Sequence, residues 1–115
     1  MLKLNLKRED YWLDLGYGVS VMVLPPSTAL IMAARTVAAR SLFEDEPIGA
    51  RTARFLTELA QTAFLEWKGV YTENGEPADF TDENVHALME LWPIADAFER
   101  LYLAPSLLLD QEKNG

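Results

Sequence analysis

His86 is the one histidine of the chain, and there is no cysteine. Thiolate metal sites, thiol nucleophiles and disulfides are therefore excluded by residue type. A serine-based triad would need His86 as its base, but the sequence contains no Gly-x-Ser-x-Gly elbow to carry the nucleophile. Glu83 and Glu90 lie three residues before and four after His86, a spacing that places all three on one face of a helix. Two carboxylates and one imidazole could hold a metal ion, yet glutamate-rich helices produce this spacing routinely, and a second histidine is missing. Gly16-x-Gly18 lacks the third glycine and the strand–helix setting of a dinucleotide loop. No pair of carboxylates is singled out for acid–base work on a glycoside. The expectation is a protein without catalytic residues, metal or cofactor, acting through its surface.

The 115 residues are sized for one domain, 1–115, and half of them are hydrophobic, enough for a core. The net charge of −8 is unevenly placed. Residues 1–68 balance eight acids against eight bases, whereas residues 69–115 carry ten acids against Arg100 and Lys113. Such a surface repels phosphate backbones, so nucleic acid is not an expected partner; an acidic face more often serves solubility, or steers toward a basic protein. Residues 15–34 are free of charge. The glycines, prolines and hydroxyl residues within them divide the run into strand, turn and helix start, so no membrane span is expected. The alternating MLKLNLKRED start is unlike a signal peptide, and a cytoplasmic location is expected.

The elements follow from periodicity. Leu2, Leu4 and Leu6 alternate with polar residues, as in a half-buried strand. Residues 12–15 and 19–23 flank Gly16-Tyr17-Gly18, which predicts a hairpin with Val19, Val21 and Val23 on one face. After Pro25-Pro26, Ser27 or Thr28 caps a helix extending to about Phe43. That helix is apolar on two sides: a broad stripe of Leu30, Ile31, Ala33, Ala34, Val37, Ala38 and Leu42, and a second of Met32, Ala39 and Phe43. Glu44-Asp45-Glu46-Pro47 reads as a solvated loop. A helix then spans about Ile48 to Lys68, with Arg54 and Glu58 paired on its outside and Gly69 as its left-handed terminator. Asn74-Gly75 predicts a type I′ turn joining 70–72 to 78–80. Thr81 caps the next helix, Pro93 opens another, and Leu107–Leu109 form a last apolar turn before a polar tail, 110–115. The predicted fold is α+β and mainly α-helical: a small N-terminal antiparallel β-hairpin or sheet (1–24) packed on a bundle of about four helices (27–109).

Glu66-Trp67-Lys68-Gly69-Val70, Asn74-Gly75-Glu76-Pro77 and Phe80-Thr81-Asp82-Glu83-Asn84 occur in that order. Together they resemble the W-x-G-V … D/N-G-x-P … F-T/S-x-E block of tail assembly chaperones from long-tailed bacteriophages, prophages and phage-like gene-transfer clusters. Tyr11-Trp12-Leu13-Asp14-Leu15-Gly16 near the start, and Pro93-Ile94-Ala95 with Ala97-Phe98 and Leu109-Asp110 near the end, are similar to the same group. The likeness implies a small cytoplasmic protein that acts during virion assembly and is absent from the finished particle. It also implies two partners, the tape-measure protein and the tail-tube protein; self-association is an open possibility. Family members have no catalytic residues to carry over. The candidate partner-binding positions are Met32, Ala39, Phe43, Trp67, Tyr71, Phe80 and Trp92, with the Met32, Ala39 and Phe43 stripe suited to receive an amphipathic helix. The alternatives are a structural virion component, such as a neck or tail-completion protein, and less readily a small metal-binding protein or enzyme.

Overall fold

The computed structural model describes residues 8–40 and 46–105. The expected strand at residues 2–6, Phe43 and the apolar turn at 107–109 lie outside them. The fold is α+β. Strands β1 (Tyr11–Gly16) and β2 (Val19–Val23) form the expected antiparallel hairpin. Gly16 pairs with Val19, so Tyr17 and Gly18 make a two-residue turn, and both have positive φ, 57° and 77°. That pair of angles is the type I′ signature, whose twist matches the strands it joins. Val19, Val21 and Val23 point inward and are buried, while Ser20 and Met22 take the outer face.

Four helices follow: α1 (Thr28–Ala38), α2 (Ala50–Ala63), α3 (Asp82–Met89) and α4 (Trp92–Phe98), the last continued by a π-helical turn at Glu99–Leu103. Ser27 caps α1, its Oγ accepting from the Leu30 N–H at 3.2 Å. Thr81 caps α3 in the same way through the Asn84 N–H at 3.1 Å, with Asp82 and Glu83 in the electropositive first turn. Pro93 sits in the first turn of α4, where its missing N–H costs nothing.

The first correction concerns α2. It ends at Ala63, and Phe64–Lys68 is a third strand, β3, paired antiparallel with β2. A two-stranded hairpin is marginal alone, and the edge of β2 gains a full ladder by accepting it. Leu65 is an extra residue in that ladder: Val23 faces Phe64 while Met22 faces Glu66. The bulge lets both Phe64 and Trp67 turn toward the core, a spacing indistinguishable from a helical one in sequence. The order is β1-β2-β3, with the helices on one face.

Phe98 anchors the core. Its ring lies edge-on to Phe64 at 5.2 Å and stacks on Tyr102 at 4.9 Å. Each ring buried this fully contributes about 2–3 kcal/mol of apolar transfer free energy. The Tyr102 hydroxyl donates to the Leu24 carbonyl at 2.7 Å, tying the π turn to the end of β2. Burial raises the Tyr102 pKa well above its usual value. Leu56, Leu59, Ala60 and Ala63 of α2 and Val85, Leu88 and Met89 of α3 complete the cluster.

The other corrections are local. Helix α1 stops at Ala38, with Ala39 as its C-cap. Its buried side is narrower than expected, because Ala33 and Val37 are exposed and only Ala34 and Ala38 are fully covered. Arg54 does not pair with Glu58. Its guanidinium binds Glu46 and donates from Nη2 to the Ala38 carbonyl at 2.8 Å, closing the last turn of α1 from α2. Glu46 is accordingly a structural ion-pair partner rather than a free loop carboxylate.

Candidate functional site

Gly69 does not terminate a helix. It follows β3 with φ 82°, and a Cβ built on it would stand 1.9 Å from the Gly18 carbonyl oxygen. The tip of the β1–β2 hairpin is therefore pressed, backbone on backbone, against the start of the 70–81 connection. Tyr17 precedes Gly18 in the chain and Tyr71 lies two residues past Gly69.

The connection itself is a small hairpin, though not of the expected turn type. The Gly75 N–H reaches the Thr72 carbonyl at 2.9 Å and the Thr72 N–H reaches Glu76 at 2.7 Å. Asn74 has negative φ and Gly75 positive, 80°. A type I turn followed by a left-handed glycine bulge gives this pattern, replacing the I′ turn read from Asn-Gly. The arms meet at a single bridge, Tyr71 opposite Pro77, and the Ala78 N–H donates to the Val70 carbonyl at 2.9 Å.

Trp67 fixes this hairpin to the sheet. Its Nε1–H donates to the Ala78 carbonyl at 3.1 Å, and the Phe80 ring meets it edge-on at 5.2 Å. Asn84 holds the far end through Nδ2 to the Asp79 carbonyl at 2.8 Å. In this hairpin Tyr71 is 63% and Phe80 40% exposed. The same connection carries Glu73, Glu76 and Asp79, all exposed, with no ion pair to any of them among the described residues.

Of the candidate contact positions, Trp67 and Phe80 are thus brought together, Tyr71 meets Pro77 by a backbone bridge in the same hairpin, and Trp67 itself is largely structural. Met32 is 50% exposed on α1 and Ala39 is exposed at its C-cap, on an element that packs mainly on α2. Trp92, 68% exposed, opens α4 beside exposed Leu91. The residue missed was Tyr17: it is 78% exposed and is the one non-glycine residue with positive φ among those described. The Gly-Tyr-Gly triplet was the available signal, since glycines on both sides mark a tight turn that leaves its middle residue projecting.

The outer face of the sheet carries Trp12, Asp14, Ser20, Met22, Glu66 and Lys68 in register. Lys68 Nζ lies 4.1 Å from the Trp12 ring centroid, a cation–π contact of about 0.5–1 kcal/mol. An open cavity of about 290 Å³ between α2 and α3 is lined by Ala53, Arg54, Thr57, Glu58, Gln61, His86 and Glu90. His86 Nε2 and Glu90 Oε1 stand 2.9 Å apart on its wall. No group of three or more potential metal ligands occurs among the described residues. No helix of the described residues is long and apolar enough to cross a membrane.

No protein-family model, curated protein or solved structure matches the chain.

Proposed function

We propose that this chain is a tail assembly chaperone, binding the tape-measure protein of its own gene cluster and assisting assembly of the tail tube around it. The observation that carries the reading is the exposure of large apolar side chains on ordered elements: Tyr17, Met32, Tyr71, Phe80, Leu91 and Trp92. Exposed aromatics and methionine are what polypeptide interfaces favour. The ordered resemblance of residues 66–84 to the chaperone block supplies the partner. The reading places the protein in the cytoplasm of the cell in which tails assemble, with no catalytic step and no cofactor.

Co-expression tests it. The tape-measure protein made alone should be found mainly in the insoluble fraction, and co-expression with this chain should bring it into the soluble fraction as a complex that co-purifies. A tape-measure protein that stays insoluble and does not co-purify refutes the reading. Mass spectrometry of purified particles tests the structural-component alternative: stoichiometric presence of this chain there would favour a neck or tail-completion role instead.

A further inference from the structure

We infer that α1 is a strap: it swings away from α2 as one unit while the sheet, α2, α3 and α4 stay folded, and Arg54 is the latch that holds it shut. The inference goes beyond the chaperone reading and does not depend on the identity of any partner.

Three observations carry it. First, α1 is held by little apolar surface. It packs against α2, and no other described element meets it to a comparable extent. Of its 11 residues only Ala34 and Ala38 are fully buried, and each contributes a single methyl group. Leu30 and Ile31 are half-buried, and the remainder are exposed. By contrast, α2 buries Leu56 and Leu59, and α4 buries Ile94 and Phe98. A segment with few buried apolar contacts opens at a smaller free energy than the core it rests on. Second, the chain is clamped just before the hinge. The Leu24 N–H donates to the Ala63 carbonyl at 2.9 Å, and the Leu24 carbonyl accepts from the Tyr102 hydroxyl at 2.7 Å. Pro25 and Pro26 follow, with no N–H to hydrogen-bond, and Ser27 caps α1. Rotation about residues 25–27 therefore leaves the β2 ladder and its clamp intact. Third, the fastening at the far end is one side chain. Arg54 of α2 binds Glu46 and donates from Nη2 to the Ala38 carbonyl at 2.8 Å, so it joins α2 to the last turn of α1. Its Nε is buried with no hydrogen-bond partner among the described residues. Hydration of that donor on opening offsets part of what the other two bonds contribute, so the strap is poised rather than locked. Opening uncovers Leu30 and Ile31, and withdraws the Arg35 guanidinium from its place 5.9 Å from the Phe55 ring centroid.

Amide hydrogen exchange of the full chain, read residue by residue by NMR at several non-denaturing urea concentrations, tests it. In wild type the amides of Met32 to Ala38 should share one protection factor, about 100-fold or more below those of Val21 and Leu59. Their exchange should also depend much less on urea, because opening a strap exposes little surface. Two variants separate the strap from the body beneath it. Arg54→Met removes bonds made only in the closed state, so exchange across α1 should quicken by about tenfold or more. Tyr102→Phe weakens the body, which stays folded whether α1 is open or closed. It should therefore quicken exchange at Val21 and leave α1 unchanged. Protection in α1 equal to that of Val21, or graded from the helix ends inward as in fraying, overturns the inference. So does an α1 that Arg54→Met does not quicken, or one that quickens together with Val21 in Tyr102→Phe.

Discussion

Gly69→Ala is the most severe single-methyl test the fold offers. Two costs combine. An L-residue at φ 82° pays about 1–2 kcal/mol in backbone strain. The new Cβ would also sit 1.9 Å from the Gly18 carbonyl oxygen and 2.8 Å from its carbon. An ordinary C···O contact is about 3.3 Å, so the hairpin tip must retreat by roughly 1.4 Å. That displacement pulls on the ladder where Ser20 faces Lys68, and losing one or two of its hydrogen bonds costs about 1–2 kcal/mol. The total is about 2–4 kcal/mol, or roughly 8–16 °C in melting temperature for a domain of this size. Gly75→Ala is the control. Its φ of 80° is nearly the same, but no atom lies within 4 Å of the added Cβ. Strain and the loss of unfolded-chain freedom are common to both variants, so their difference isolates the backbone contact. Urea unfolding followed by tryptophan fluorescence measures it, with Trp67 reporting from β3 itself. Gly69→Ala should be less stable than Gly75→Ala by about 1–2 kcal/mol. Equality within about 0.5 kcal/mol, the ordinary error of such comparisons, would show that the tip is not pressed against Gly69.

Two further perturbations test the core and a cap. Tyr102→Phe leaves the Leu24 carbonyl without its 2.7 Å donor and should cost about 1–2 kcal/mol. The same residue sets an alkaline limit: burial raises its folded pKa, so above about pH 10 the unfolded chain loses a proton that the native chain keeps. Its contribution is present in full below the unfolded value of 10.0 and is lost progressively as pH rises past it. Urea midpoints taken from pH 8 to about 11 should therefore fall in wild type and fall less in Tyr102→Phe, with Tyr11, also raised by burial, supplying part of the remaining slope. Identical slopes would contradict the assignment. Thr81→Ala removes the acceptor for the Asn84 N–H and should lower stability by about 1 kcal/mol, with Thr81→Ser restoring most of it; an unchanged urea midpoint would mean the cap contributes nothing.

Elements whose signals are local were legible in the sequence. Alternation at Val19, Val21 and Val23, the Gly-Tyr-Gly turn, the Ser27 and Thr81 caps and Pro93 each specify structure within a few residues, and each of these elements starts where expected, although α1 ends at Ala38. What was illegible depended on distant partners. Phe64 and Trp67 satisfy a helical period and a bulged strand equally well, and the vacant edge of β2, some forty residues earlier, decides between them. Arg54 has Glu58 one turn away, yet it binds Glu46 and the Ala38 carbonyl because the packing of α2 on α1 places them within reach. Of the surface candidates, Met32 was legible as lying off the main stripe of its helix, whereas Trp92 keeps the helical spacing of Val85, Leu88 and Met89 and Tyr71 lies in the connection between elements. Tyr17 was not legible, because its exposure follows from the turn type rather than from any periodicity.

The block that carries the family resemblance is also the joint of the fold. Trp67 binds the Ala78 carbonyl and the edge of Phe80, Gly69 admits the Gly18 backbone, Gly75 closes the turn, and Thr81 starts α3. Each of these residues is explained by what it does for the chain's own architecture. Tyr71 is different: it sits between Gly69 and Gly75, makes one backbone bridge to Pro77, and leaves most of its ring in solvent. Nothing in the packing requires an aromatic there, and the same holds for Tyr17, where the backbone would be better served by asparagine. Under the proposed chaperone reading, a polypeptide client would give rings at both places a use. On that reading substitutions should divide by readout, with Trp67 and Gly69 of the block changing stability, and Tyr71 of the block and Tyr17 of the β1–β2 turn changing association alone.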